Sequence, residues 1–332
     1  MIPFSILDLA PIVEGGSAAE SFANSVRLAE LGERLGYRRF WLAEHHGMPG
    51  IASAATSVVI GHVAAATKAI RVGAGGIMLP NHAPLLIAEQ FGTLDALYPG
   101  RIDLGLGRAP GSDLKVAGAM RRDLHAAAER FPADVEELIS YFEGTGPIRA
   151  VPGDGASVDV WILGSSLYGA SLAAHMGLPY AFASHFAPAA LLPAISLYRR
   201  NFRPSKWLSA PYVMLGFNII AADTDAEAQW LATSLLQAFV NLSLGQPARL
   251  QPPVAGYERQ LPAATRARLA DVLACSAIGA PETVAKAVAA FIAETGADEL
   301  IVSGAIFDSG ARLRSFEIAA EVRDALARRQ AA

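Results

Sequence analysis

The chain has 332 residues, 52% of them hydrophobic and 17% charged, with a formal net charge of -4. That balance leaves no basic footprint for nucleic acid or an anionic membrane, and apolar runs such as Val213 to Ala222 stay near ten residues, short of the roughly 18 needed to cross a bilayer. What remains is a small-molecule partner, and with Cys275 as the single cysteine no intrachain disulfide is possible, so one cytoplasmic domain spanning residues 1–332 is expected.

The elements follow in chain order. Met1 to Val13 is apolar but lacks a cationic start and a small-residue cleavage site, so it reads as a first strand, Phe4 to Leu9, rather than a leader. Ser17 and Glu20 stand at capping-box spacing before a helical pattern that stops at Gly36. The second strand is Arg39 to Ala43. The helix from Ser53 to Thr67 that follows carries no charged residue, which predicts burial on two faces, one on the sheet and one against neighbouring helices or the second subunit of a homodimer. Strands three and four are Ile70 to Met78 and Ile102 to Leu106. Leu114 to Gly155 is longer than a βα linker needs and holds a helical pattern interrupted at Pro132. Val158 to Leu163, Tyr180 to Ser184, Tyr212 to Ala221 and Glu299 to Ser303 complete eight strands. Among the last of these, Thr224 and Glu227 repeat the capping spacing, Gly245 to Pro262 is a second long segment with four prolines, and Pro281 suits a first helical turn. Short β-branched and aromatic runs alternating with alanine-rich helical patterns predict an α/β fold, a (β/α)8 barrel with insertions, with an open doubly wound sheet as the alternative.

In such a barrel the polar residues just beyond the strands carry the chemistry. Glu44-His45-His46 follows the second strand. A histidine beside a carboxylate can act as acid, base or donor, or simply cap the strand. Gly75-Gly76 ends the third strand, where missing side chains permit a bend or the close approach of a flat ligand. Arg108, after the fourth, has a fork of donors suited to a phosphate or to a surface ion pair. Gly164-Ser165-Ser166, after the fifth, opens a helix and suits capping or an anion. His45, His46, His82 and His185 could supply imidazole ligands from several strand ends, but adjacent strand residues point apart and no histidine pair has helical ligand spacing, so no metal is expected.

Three stretches, Phe40 to His46, Ile70 to Pro80 and Gly100 to Arg108, together with Val160 to Pro179, resemble the luciferase-like flavin-dependent monooxygenases, and most closely a bacterial branch of that family. The resemblance implies reduced FMN supplied by a separate reductase and O2 used to oxygenate a small organic substrate. It implies that His45 is catalytic with Glu44 supporting it, and that Gly75-Gly76 forms a cis peptide against the flavin. Arg108, Gly164, Ser165, Ser166 and Tyr168 would hold the cofactor; His46, Asn81 and His82 would face the substrate. The light-emitting members carry a glutamate at the position of Ser165, a threonine at Gly169 and a reactive cysteine at Gly107, so light emission is not implied here. A deazaflavin-dependent dehydrogenase or reductase on the same fold, or a flavin-binding protein without turnover, are the alternatives.

Overall fold

Along the chain of this computed structural model the elements run β1 Phe4–Asp8, α1 Ala18–Arg34, β2 Arg39–Leu42, α2 Thr56–Ala66, β3 Arg71–Met78, α3 Pro84–Leu97, β4 Ile102–Gly107, α4 Leu114–Ala119 and α5 Leu124–Phe142. They continue with β5 Asp159–Gly164, α6 Leu167–Met176, β6 Tyr180–Phe182, α7 Leu191–Asn201, β7 Val213–Ala221, α8 Asp225–Ser243, α9 Tyr257–Gln260 and α10 Ala263–Val272. β8 Ser276–Gly279, α11 Pro281–Thr295, β9 Glu299–Ser303 and α12 Ser309–Ala331 end the chain. The structure describes residues 2–108, 114–120 and 123–331. Met1, 109–113, 121–122 and 332, which the expected domain includes, lie outside the described residues.

Every strand pair is parallel, and the order β1-β2-β3-β4-β5-β6-β7-β9 returns to β1, so eight strands close into a barrel and no sheet edge is left open. These are the eight strands expected from the sequence. β8 is additional. It pairs with the last residues of β7, Asn218 to Ala221, on the side that β6 occupies lower down, because Asn218 is already partnered by Ser303 of β9 on the other.

The register fixes which side chains meet inside. Leu7, Trp41, Gly73, Gly105, Trp161, Ala181, Met214 and Ile301 share the inward parity, and the large ones form a buried cluster. Trp41 and Trp161 meet edge to face with ring centroids 5.3 Å apart, and they fit because their neighbours lack side chains. A Cβ on Gly105 would lie 2.4 Å from the Ala74 carbonyl oxygen and 2.5 Å from Leu163 Cδ1. Large and small residues thus alternate around the layer and fill the barrel across its middle.

Below that layer, at the amino ends of the strands, the interior is ionic. Arg39, almost wholly buried, bridges Asp103 at 2.8 Å and Glu299 at 3.1 Å. Arg71 joins Asp103 at 2.6 Å to Asp159 at 2.7 Å. Trp41 Nε1 donates to Asp103 at 2.9 Å, Tyr212 donates to Glu299 at 2.7 Å, and the Ser5 hydroxyl donates to Glu299 as well. Burial opposes the charge on Arg39, but the two carboxylates outweigh it and raise its pKa. Charge balance demands this saturation, because Asp103 and Glu299 would otherwise be buried without compensation.

Two sequence expectations need correction. α5 runs unbroken through Pro132. The proline removes one backbone donor, and the buried stripe of Phe131, Val135, Leu138 and Phe142 holds the helix regardless. Ser17 and Glu20 make the full capping box, whereas Thr224 only accepts from the Glu227 N–H, at 3.2 Å. In α2 one face is buried, through Val59, Ile60 and Val63, and the other leaves Val58 exposed within this chain.

Candidate active site at the barrel mouth

Above the filled layer the next inward positions are Leu9, Ala43, Gly75, Gly107, Leu163, Ala183, Gly216 and Ser303, mostly small residues, with Gly216 covered by the His185 ring. The peptide Gly75-Gly76 is cis, as the resemblance implied. The register against β4 slips there, between Gly75 and Ile77, so Gly76 is an extra residue in the strand. Neither position tolerates a side chain. A Cβ on Gly75 would lie 2.9 Å from Leu7 Cδ1 and 3.0 Å from Trp41 Cε3, and one on Gly76 would lie 2.5 Å from the Gly105 carbonyl oxygen.

Beyond β2 the backbone N–H of Glu44 donates to the Gly76 carbonyl at 3.2 Å, which ties the two strand ends together. The Glu44 carboxylate is buried and heavily hydrogen-bonded. His46 Nε2 lies 2.6 Å and His82 Nε2 2.9 Å from Oε1, the Met78 N–H donates to Oε2 at 2.9 Å, and Asn81 Nδ2 reaches Oε1 at 3.3 Å. Burial pushes this carboxyl up, but the hydrogen bonds and charge of His82, with His46 and the Met78 N–H, outweigh it and hold the pKa below the usual range. Glu44, His46, Asn81 and His82 therefore form one unit, in which the carboxylate orients the other three.

His45 points elsewhere. Its Nδ1 is buried with no hydrogen-bond partner among the described residues, and His185, just beyond β6, has an unpartnered buried Nδ1 too. Burial is the main cause that lowers both pKa values, that of His185 to about 4; at His45 the Glu44 carboxylate opposes the shift and His46 adds to it, and at His185 the charge of His45 adds to it. Burial thus disfavours the charged form of both rings, which stand at the carboxyl ends of β2 and β6. Sequence reading singled out His45 but treated His185 only as a conceivable metal ligand. The usable signal was Gly216, a gap inside the apolar run Val213 to Phe217, on which the His185 ring rests.

Between β4 and β5 a third group gathers. The Arg108 guanidinium lies 4.0 Å over the ring of Tyr168. Tyr168 sits in the first turn of α6, whose N-cap Ser166 makes no side-chain capping bond, and Ser165 and Ser166 are exposed beside it. Gly164 pairs with Phe182, and its carbonyl accepts from the Ala183 N–H at 2.9 Å. The arrangement brings a cation, two hydroxyls and the free N–H groups of a helix start to one place. On the opposite rim, the long segment after α8 is anchored to the loop after β1: Val13 bridges Leu250, with the Glu14 N–H donating to the Leu250 carbonyl at 2.8 Å.

Comparison with known proteins agrees with this fold. The sequence model of a family described as luciferase-like monooxygenase matches residues 2–299. A luciferase-like monooxygenase of Escherichia coli K12 is 53% identical over 328 residues, covering 98% of each chain. The crystal structure of apo-MsnO8 superposes with a TM-score of 0.88 at 35% identity, covering 98% of this chain and 99% of that one. Two more distant structures share the fold. One is the oxygenating constituent of 3,6-diketocamphane monooxygenase from a Pseudomonas putida plasmid, in complex with FMN (TM-score 0.69, 16% identity, 96% of each chain). The other is an F420-dependent secondary alcohol dehydrogenase (TM-score 0.70, 15% identity, 97% and 98%).

Proposed function

The chain belongs to the luciferase-like monooxygenase family, and from that membership we propose that it is a flavin-dependent oxidoreductase, a two-component monooxygenase that takes reduced FMN from a separate reductase and uses O2 to oxygenate a small organic substrate. The observation that carries this reading is the buried Nδ1 of His45 at the barrel mouth beyond Gly75-Gly76, a polar atom with no partner among the described residues. The residues fit a flat phosphorylated ring. Gly75-Gly76 presents backbone without side chains, and Arg108, Ser165, Ser166 and Tyr168 supply the donors for a phosphate, with Gly164 leaving room beside them.

Reduced FMN, when bound, supplies the electrons with which O2 is activated. The protein's own contribution is to bind, orient and exclude water. His45, whose Nδ1 has no partner among the described residues, donates or accepts one proton at the reacting centre. Glu44 acts through its hydrogen bonds, fixing His46, Asn81 and His82, which line the substrate side. The pinned segment around Leu250 covers one rim. The description of the camphane enzyme as an oxygenating constituent supports a separate reductase. A homodimer through the open face of α2 is consistent with its exposed Val58, and a monomer mass by light scattering would remove it.

Anaerobic titration with oxidised and then reduced FMN, followed by admission of air, tests the proposal. Preferential binding of the reduced form with oxygen consumption supports it. Turnover with a deazaflavin and no response to O2 would place the chain with the F420-dependent dehydrogenase among its neighbours instead. In the same titration Arg108→Ala is expected to weaken FMN binding by roughly 10- to 100-fold, the equivalent of one charge-assisted hydrogen bond. Riboflavin, which lacks the phosphate, should bind the variant and the parent equally. An equal loss for both would show that Arg108 acts on the ring rather than on the phosphate.

Among the described residues no helix is long and apolar enough to cross a membrane.

A further inference from the structure

The seat of His185 determines what its ring can do. Gly216 shares the inward parity of Met214, so a side chain there would point into the barrel. A Cβ built on it would lie 2.0 Å from His185 Nδ1 and 3.0 Å from both Cε1 and Cγ. At 2.0 Å from Nδ1, a point reaches 3.0 Å from both flanking carbons only near the ring plane, on the axis of the Nδ1 lone pair. The Nδ1 edge is therefore pressed against the Cα of Gly216, and this nitrogen is buried with no hydrogen-bond partner among the described residues. Burying an N–H there would leave it unsatisfied, so the proton resides on Nε2. Nε2 is on the far side of the ring from β7 and faces the barrel axis. The backbone behind the ring is fixed, since Asn218 Nδ2 donates to the His185 carbonyl at 2.7 Å and to Ser276 Oγ at 3.2 Å. Ser276 belongs to β8, which gives the extra strand a purpose.

We propose that His185 is a substrate-contacting residue whose neutral Nε2–H donates, across the mouth from His45, to an acceptor oxygen of the organic substrate, so that the site selects carbonyl-bearing molecules over hydrocarbons of the same shape. The assignment rests on reading the mouth as the substrate site. A group that burial keeps neutral donates without adding charge to a dry site, and an unmatched donor there rejects a ligand that lacks the oxygen.

The test uses the full chain labelled with ¹⁵N-histidine, probed by long-range ¹H–¹⁵N spectra at pH 7 with cyclohexanone and with methylenecyclohexane, two probes of one shape that differ in the oxygen. The expected result is a neutral Nε2–H tautomer for His185 whose resonances move on addition of the ketone but not of the alkene. His185→Phe should lower ketone affinity about two- to tenfold, the effect of one hydrogen bond, and leave alkene affinity unchanged; His185→Gln, which keeps an N–H near the same place, should restore the preference. An Nδ1–H tautomer, an imidazolium at pH 7, or no ketone-linked shift at His185 up to the solubility limit overturns the proposal. These readouts need no flavin. Failure of wild-type protein to bind reduced FMN would count against the monooxygenase reading alone, whereas a silent His185 in protein that binds FMN counts against this one.

Discussion

Arg39→Leu is expected to lower the unfolding free energy by about 3–5 kcal/mol, the usual cost of removing one partner from a buried ion pair. The reason lies in what is left behind. Glu299 and Asp103 are both inaccessible to solvent, and Arg39 is the cation they share at 2.8 and 3.1 Å. Asp103 keeps Arg71, but among the described residues Glu299 keeps only the hydroxyls of Ser5 and Tyr212 and the guanidinium of Arg38 at 3.9 Å. Urea denaturation would measure the change. Arg71→Leu should cost less, because Arg71 is partly exposed and Asp103 then retains Arg39. A denaturation midpoint for Arg39→Leu equal to that of the parent, with an equal slope, would show that the hydroxyls alone satisfy Glu299.

His45→Ala should leave reduced FMN binding within a few-fold of the parent while lowering the rate of substrate oxygenation by about 10²- to 10⁴-fold, the range for a positioned acid or base. The expectation follows from the isolation of the ring. His46 and His82 are spent on Glu44, so no neighbour on that loop can replace the lost imidazole. Stopped-flow single turnovers, with binding and oxygenation followed separately, would check it. An unchanged rate would assign His45 to packing, and a protein that binds flavin but never turns over would favour the non-enzymatic alternative. Glu44→Gln should act differently: it keeps the shape but loses the charge that gathers His46 and His82, so several contacts loosen together.

The eight barrel strands were legible because each is a short run of β-branched and aromatic residues bounded by turn signals, and the family stretches placed Glu44, Gly75-Gly76 and Arg108 at strand ends. β8 was not. Ser-Ala-Ile-Gly is too short to show a period of two, and only the overshoot of β7 gives it a partner. The ionic base escaped for another reason: Ser5, Arg39, Asp103 and Glu299 are scattered from one end of the chain to the other, and a single charge at a strand start reads as solvent-facing until closure turns it inward. Pro132 misled because local propensity predicts a break that tertiary packing overrides. The pairing of His46 and His82 on one carboxylate depends on the 3-10 turn Leu79–Asn81, which no periodicity argument supplies.

The layer of Trp41, Trp161, Met214 and Ile301 has a consequence for traffic. A barrel stoppered at its middle and locked by ion pairs beneath is a blind-ended vessel with one doorway. Whatever settles first over Gly75, beside the His185 ring that covers Gly216, lies deepest and departs last, and a later arrival occupies the shallower berth and must clear the doorway first. Sequence of entry and exit is then imposed by the shape of the container, without any moving part.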